Sequence, residues 1–529
     1  MKLHHKSYTP RDIIAIAWSR WTININYWKA WHARLLALEH VHGNYEKSYA
    51  QVPELCRQIE ASNPDSLVAW KFDTENRCKY LCVAFRASLD GWKKGCRPLI
   101  GLDGCFLKGK YIGVCLAAIR MDGNNGMFPL AVFICRKDDG ENWDKFLELI
   151  APKLKKHSLP LTVISDRAQA IISSIETHLE GCNPRSCFRH IFKNISKWWK
   201  RDHIKRLAWA TATAYKKIHF ERNLVNLENA AVGSKDYLMG IGPHLWSRAH
   251  FDTIYKSDHL TNNFTESYNS FILSEREKPV CSMIIGMSFL MMKIMYDRKL
   301  ESSTWDESGV VPRVFKTLTL YKVKQNDFVT HPSGEGTFCV RNYTGQHWTL
   351  NLNNHECECC EWQVKGLPCV HAVHLISHLR LPLTHLFLSV KAYRSSYESN
   401  IKPISHESDW PEGNEIVLPP TLSRAPRTPK HNRIKGHDEN ETQARNMKKC
   451  SKCLAFGRNK RSCQGGPIKG GADTSSGATG STRASKRGGG RATGKGVGRV
   501  IGRGVGRGAS GRGVGRAGAG RGVGRAAGR

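Results

Sequence analysis

Acidic residues are scarce in this chain: 46 Asp and Glu stand against 80 Lys and Arg, leaving a formal charge of +34 over 529 residues. That imbalance points to a polyanionic partner, either nucleic acid or an anionic membrane surface. No apolar run reads as reaching the roughly 18 to 20 residues of a bilayer crossing, which argues against the membrane. The opening Met1-Lys2-Leu3-His4-His5 has no apolar signal-peptide core, so a reducing compartment is expected. There the 18 cysteines bind metal where they cluster instead of forming disulfides. Cys56, Cys115, Cys135 and Cys281 sit singly among apolar neighbours and read as small buried thiols. What is present in quantity, 40% hydrophobic residues, is enough for a sizeable core and about two to four domains.

Residues 1–95 read as helical, with Thr9-Pro10-Arg11-Asp12 as a cap and Asn63-Pro64-Asp65 as a break. Trp18, Trp21, Tyr27, Trp28 and Trp31 are expected in their core. The pattern then changes. Short apolar runs at 99–102, 111–120, 127–135 and 161–164 predict strands, and helical spacing at 141–155 and 169–179 predicts helices between and after them. Three strands followed by helix, strand, helix describe an α/β layer with a mixed sheet over 96–300, whose last part, from about 190, is helical with Trp209 and Trp246 as packing anchors. Residues 301–400 hold a β-hairpin around Tyr343-Thr344-Gly345-Gln346 and then a cysteine cluster. Residues 401–463 read as a linker, and 464–529 as a disordered Gly/Arg-rich tail with 14 Lys and Arg against one Asp.

Cys357, Cys359, Cys369 and His371 follow C-x-C-x9-C-x-H. Two close pairs joined by a loop that Gly366 and Pro368 allow to fold back supply the four N/S ligands of a tetrahedral zinc ion. Cys360, His374 and His378 are near enough in sequence to compete as ligands. Trp362 is placed to cover the site, and metal binding is expected to supply much of the folding free energy of so small a unit. This pattern, with Gly366-Leu367-Pro368 before Cys369, is similar to the SWIM zinc finger found near the end of plant Mutator-like element transposases.

Asp103 and Asp166 each end a predicted buried strand, where unpaired carboxylates are costly unless a cation joins them. Two divalent ions held there would serve phosphodiester chemistry. Leu102-Asp103-Gly104-Cys105-Phe106-Leu107-Lys108-Gly109 and Ser165-Asp166-Arg167 resemble the Asp motifs of Mutator-like transposases, as do Glu141, Trp143 and Phe146, the pair Cys187 and His190, and Trp209. Asn263-Phe264-Thr265-Glu266-Ser267-Tyr268-Asn269 resembles the motif carrying that family's third acid. The resemblance, over about residues 8–405, implies a ribonuclease-H-like DDE core with a helical insertion. Asp103, Asp166 and Glu266 would hold Mg2+ or Mn2+ for DNA cleavage and transfer. For Cys187 and His190 half a zinc site, a packing pair and a contact near the substrate all stand open, a structural role being favoured.

Two departures qualify the resemblance. The DNA-binding segment usual upstream in the family has no counterpart here, which predicts incomplete recognition of element ends or a truncated or relic product. Cys450, Cys453 and Cys463 match a zinc knuckle with Arg458 in the His position, and a guanidinium cannot ligate zinc, so the knuckle is degenerate. The expected setting is the plant nucleus, with DNA as partner, RNA as a second partner of the tail, no membrane, and a homo-oligomer in a transposition complex. The alternative is a domesticated, non-catalytic DNA-binding regulator of transcription.

Overall fold

The computed structural model describes residues 8–324, 327–381, 388–411 and 417–421. The degenerate knuckle and the Gly/Arg tail lie outside the described residues.

Helix α1 (Pro10–Trp21) starts as its sequence dictates, with the Thr9 and Asp12 side chains each accepting from the other's backbone N–H and Pro10 in the first turn. Asn side chains cap α2 (Tyr27–His42) and α3 (Tyr45–Ala50), and α4 (Val52–Ser62) stops at the expected break. The aromatics of α1 and α2 correct the expectation of a core: Trp18, Trp21, Tyr27 and Trp28 are 58, 61, 58 and 54% exposed. On those two helices burial falls to small and aliphatic residues, Ala17, Ala30, Leu35 and Leu38. A second correction follows at once. Leu67–Phe72 and Cys78–Ala84, inside the region read as helical, are strands β1 and β2 of an antiparallel hairpin.

Helix α5 (Arg86–Gly95) leads into the sheet proper: β3 (Leu99–Phe106), β4 (Val114–Met121), β5 (Met127–Cys135), β6 (Thr162–Ser165) and β7 (Asn183–Ser186). The strand order is β1-β2-β5-β4-β3-β6-β7. All pairs from β1 across to β3 are antiparallel, and β3, β6 and β7 run parallel. Helix α6 (Gly140–Leu154) leads from β5 into β6, and α7 (Gln169–His178) from β6 into β7. β4 shows why these strands read as unbroken apolar runs. Its Cys115, Ala117 and Ile119 enter the core on one face, while Val114, Leu116 and Ala118 enter the other with Trp92 of α5 and Trp143, Phe146 and Leu147 of α6.

Helices α8 (Phe188–Trp198), α9 (Asp202–Thr213), α10 (Lys217–Ala230) and α11 (Ser234–Ile241) form the helical insertion. Phe188 anchors its core, edge-on to Trp209 at 5.0 Å and stacked near the fully buried Trp246 at 5.6 Å. The chain returns to the sheet through α12 (Asn263–Phe271) and α13 (Val280–Ser303). By length and composition α13 can cross a bilayer, which corrects the expectation that no such run exists. Val280, Met283, Ile284, Met287, Met291 and Met295 recur at helical spacing and enter the sheet core, so here the run is core packing.

After α14 (Pro312–Val323) come β8 (Phe328–Gly334), the expected hairpin β9 (Thr337–Asn342) and β10 (His347–Asn351), β11 (Glu356–Cys357), and helices α15 (Glu361–Lys365) and α16 (Val370–His378). Their small sheet has the order β11-β10-β9-β8. Helix α17 (Val390–Ser396) goes back to the main core, as do Ile401, Ile404, Trp410 and Val417, so packed chain extends past the point where composition predicts a linker.

Candidate active site and metal centre

Strands β3 and β6 pair with Gly101 opposite Ile164. Asp103 lies two residues further along β3, and Asp166 two residues beyond Ile164, just past the end of β6. Asp103 Oδ1 accepts from the Gly104 N–H at 3.0 Å, and its Oδ2 accepts from Asn269 Nδ2 at 2.9 Å and Thr265 Oγ1 at 3.2 Å. Asp166 Oδ1 accepts from the Ala168 N–H at 3.0 Å, just ahead of α7. Burial, and then the charge of Asp166, push the Asp103 carboxyl up to about 6 against the pull of its donors.

Helix α12 lies tight on β3 because Gly101 has no side chain. A Cβ there would meet Asn262 Oδ1 at 2.2 Å and Thr265 Cγ2 at 2.5 Å. Asn262 Nδ2 donates to Leu102 O at 3.0 Å, and Thr265 and Asn269, one turn apart on the same face, hold Asp103. These residues were passed over in sequence for Glu266, although the i, i+4 spacing of Thr265 and Asn269 was there to be read.

Glu266 points elsewhere on α12, into an ion pair with Arg189 Nη1 at 2.9 Å, and Arg189 also donates to the Asn263 side chain. Among the described residues, one group of three or more Cys, His, Asp or Glu has its ligand atoms within 4.8 Å of one another, and it is not this one. The three acids thus stand around α12 as a neighbouring pair plus a separately paired glutamate. Cys187 accepts from the Asn262 N–H at 3.2 Å and donates its own N–H to Ser165 O at 2.9 Å, tying the end of β6 to the start of α12. His190 follows it in the first turn of α8.

The group that does converge is Cys357, Cys359, Cys369 and His371. His371 Nδ1 lies 3.6 Å from Cys357 Sγ and 3.7 Å from Cys369 Sγ. Tetrahedral zinc with ordinary bond lengths separates an S and an N ligand by about 3.6 Å, so the donor set fits zinc in chemistry and in spacing. Each ligand is locally fixed. Gln363 brackets the Cys357 backbone through both atoms of its amide, at 3.2 and 2.9 Å. The Cys360 backbone takes the left-handed conformation, φ 62°, and Cys369 caps α16. The His371 ring stacks on Trp348 at 4.0 Å. The Cys357 and Cys369 thiols and then His371 hold Cys359 well below the ordinary thiol range. The competitors separate out, with Cys360 Sγ on Glu358 O at 3.6 Å and His374 Nε2 on Thr330 Oγ1 at 3.0 Å. The finger is also docked: Lys216 of the insertion pairs with Glu358 at 2.8 Å, and Val364 enters the insertion core.

Two segments of the chain match known families. A model of the MULE transposase domain matches residues 99–194, and a model of the SWIM zinc finger matches residues 338–379. The first spans β3 to α8 with both aspartates, and the second holds all four zinc ligands. No curated protein matches the chain.

Proposed function

We propose that this chain, with its MULE transposase domain and SWIM zinc finger, is a DNA-cleaving and DNA-joining transposase or the direct descendant of one, acting in the nucleus. The observation that carries the proposal is Asp103 on β3 with Asp166 just past the end of the parallel strand β6, the Asp103 carboxyl being pushed up by burial and then by the charge of Asp166. The order β5-β4-β3-β6-β7, three antiparallel strands followed by two parallel ones, supports a ribonuclease-H-like core.

Asp103 and Asp166, and Glu266 from α12, are the residues to hold Mg2+ or Mn2+, since hard divalent ions take carboxylate oxygen. Such ions, when bound, activate the attacking oxygen and stabilise the leaving one in phosphodiester displacement. The protein's own part is positioning. Thr265, Asn269 and the Gly104 N–H fix the Asp103 carboxylate, the Ala168 N–H fixes Asp166, and the bare Cα of Gly101 lets α12 lie close enough to reach Asp103. The finger's zinc is structural: its four ligands leave no open position.

A second reading, a DNA-binding regulator that retains the fold without catalysis, is favoured by the Glu266–Arg189 pair, which occupies the third acid. An assay of DNA nicking and joining in Mn2+ separates the two. The transposase reading expects activity that Asp103→Ala abolishes; activity that survives the substitution sinks it.

A further inference from the structure

A cavity of about 750 Å3 opens where the helical insertion, α12, α14 and the finger meet. Its charged groups do not balance. Arg248 is matched by Asp258 at 3.2 Å, and Lys365 by Glu361 at 3.1 Å. Arg97 and Arg313 are left over. Arg97 is 8% exposed, gives one nitrogen to the Asn125 side chain, and its Nε has no hydrogen-bond partner. Arg313 feels Asp258 and Asp122 most, but these are paired with Arg248 and, at 3.4 Å, Arg298. The wall is correspondingly electropositive: burial, and then the charge of Arg97, bring His259 down to about 3, so it stays neutral at neutral pH. A buried guanidinium without a countercharge, as at Arg97, is costly unless an anion joins it, and Arg313 at the rim adds a second positive charge.

The start of α12 adds to this. Asn263 and Phe264 line the cavity at its N-terminal turn, where backbone N–H groups and the helix dipole favour negative charge. Ser267, one turn on, lines it too, next in sequence to Glu266. The helix that carries the third acid thus also borders a pocket with two surplus guanidinium groups.

We propose that this cavity binds a phosphodiester group of a bound DNA strand, with Arg97 and Arg313 as its recognition groups and the finger as one wall. Arginine suits the task because its planar fork matches phosphate oxygens. The assignment rests on the reading of the chain as DNA-processing and adds a contact outside the metal-binding acids. It also gives the finger's position a role, since Glu361, Lys365 and Leu367 line the cavity together with Gly123 and Asn125 of the sheet turn.

The test uses the full chain and Arg313→Gln, a substitution at an exposed residue that leaves the core untouched. In the first arm, binding of a labelled oligonucleotide is followed against salt. Loss of one phosphate contact makes the log–log slope shallower by about 0.9 and weakens binding several-fold at low salt; the tail contributes equally to both proteins. In the second arm, inorganic phosphate at constant ionic strength raises the melting temperature of the wild type and not of the variant. An unchanged slope with a folded variant overturns the strand assignment, and if the phosphate response is still lost in the variant, the site holds a small free phosphate instead. A phosphate response equal in both proteins overturns the anion site itself. If the wild type binds no DNA, the DNA-processing reading fails, and the phosphate arm still judges the pocket.

Discussion

Asp103 on β3 and Asp166 just past the end of β6 lie close enough that, after burial, the charge of the second helps push the carboxyl of the first up to about 6. A carboxyl buried beside a second carboxylate is costly to ionise, as groups set aside for binding or catalysis commonly are.

Asp103→Asn should therefore stabilise the protein at pH 7 to 8, by about 1 to 2 kcal/mol after allowance for partial exposure. The carboxyl's folded value, about 6, lies above its ordinary 3.8. Its ionisation thus costs stability above pH 6, and the wild type regains that stability as pH falls from about 6 towards 4. Urea melts of both proteins across this range check the prediction. The difference should shrink on acidification; a variant that is less stable at pH 8 contradicts it.

Gly101→Ala places a methyl group against Asn262 and Thr265. Overpacking of this kind costs about 1 to 3 kcal/mol. Because it lifts α12 from β3, it should also weaken any Mn2+-dependent activity more than the stability loss alone explains. Equal activity per folded molecule would show that the packing of α12 on β3 does not matter to the site.

One zinc per chain is expected by metal analysis, lost in Cys369→Ser and kept in Cys360→Ser and His374→Ala. The finger rests on the insertion through Lys216, Glu358 and Val364. Chelation should therefore loosen residues 338–379 towards protease while the main sheet stays protected. Zinc retained in Cys369→Ser refutes the ligand set.

Trp18→Ala and Trp28→Ala should each change stability by less than about 0.5 kcal/mol, as exposed positions do. Trp143→Ala, at a fully buried ring, should cost about 3 to 5 kcal/mol. Thermal or urea melts compare them directly.

The sheet and the finger were legible because their signals are local. The run 127–135 is β5 residue for residue, and the spacing of Cys357, Cys359, Cys369 and His371 is itself the site geometry. What escaped depends on partners distant in sequence. β7 holds Pro184 and only four residues, and it is a strand because it lies beside β6. β1 and β2 were hidden in a region whose flanking segments are helical. The aromatics of α1 and α2 looked like core by residue type, yet burial is decided by what packs against them, and smaller neighbours take that place. At the site, motif reading singled out the acids as candidates and gave no role to Thr265, Asn269 or Arg189, which matter through what they touch.

Mn2+ binding tests the central claim most directly, because it needs no knowledge of the target DNA. Free Mn2+ is titrated by electron paramagnetic resonance against the wild type, Asp103→Asn and Asp166→Asn, with zinc content measured in parallel. Binding at neutral pH that either substitution weakens at least tenfold, with zinc unchanged, is the predicted result. Equal Mn2+ binding by all three folded proteins would contradict a metal site between Asp103 and Asp166.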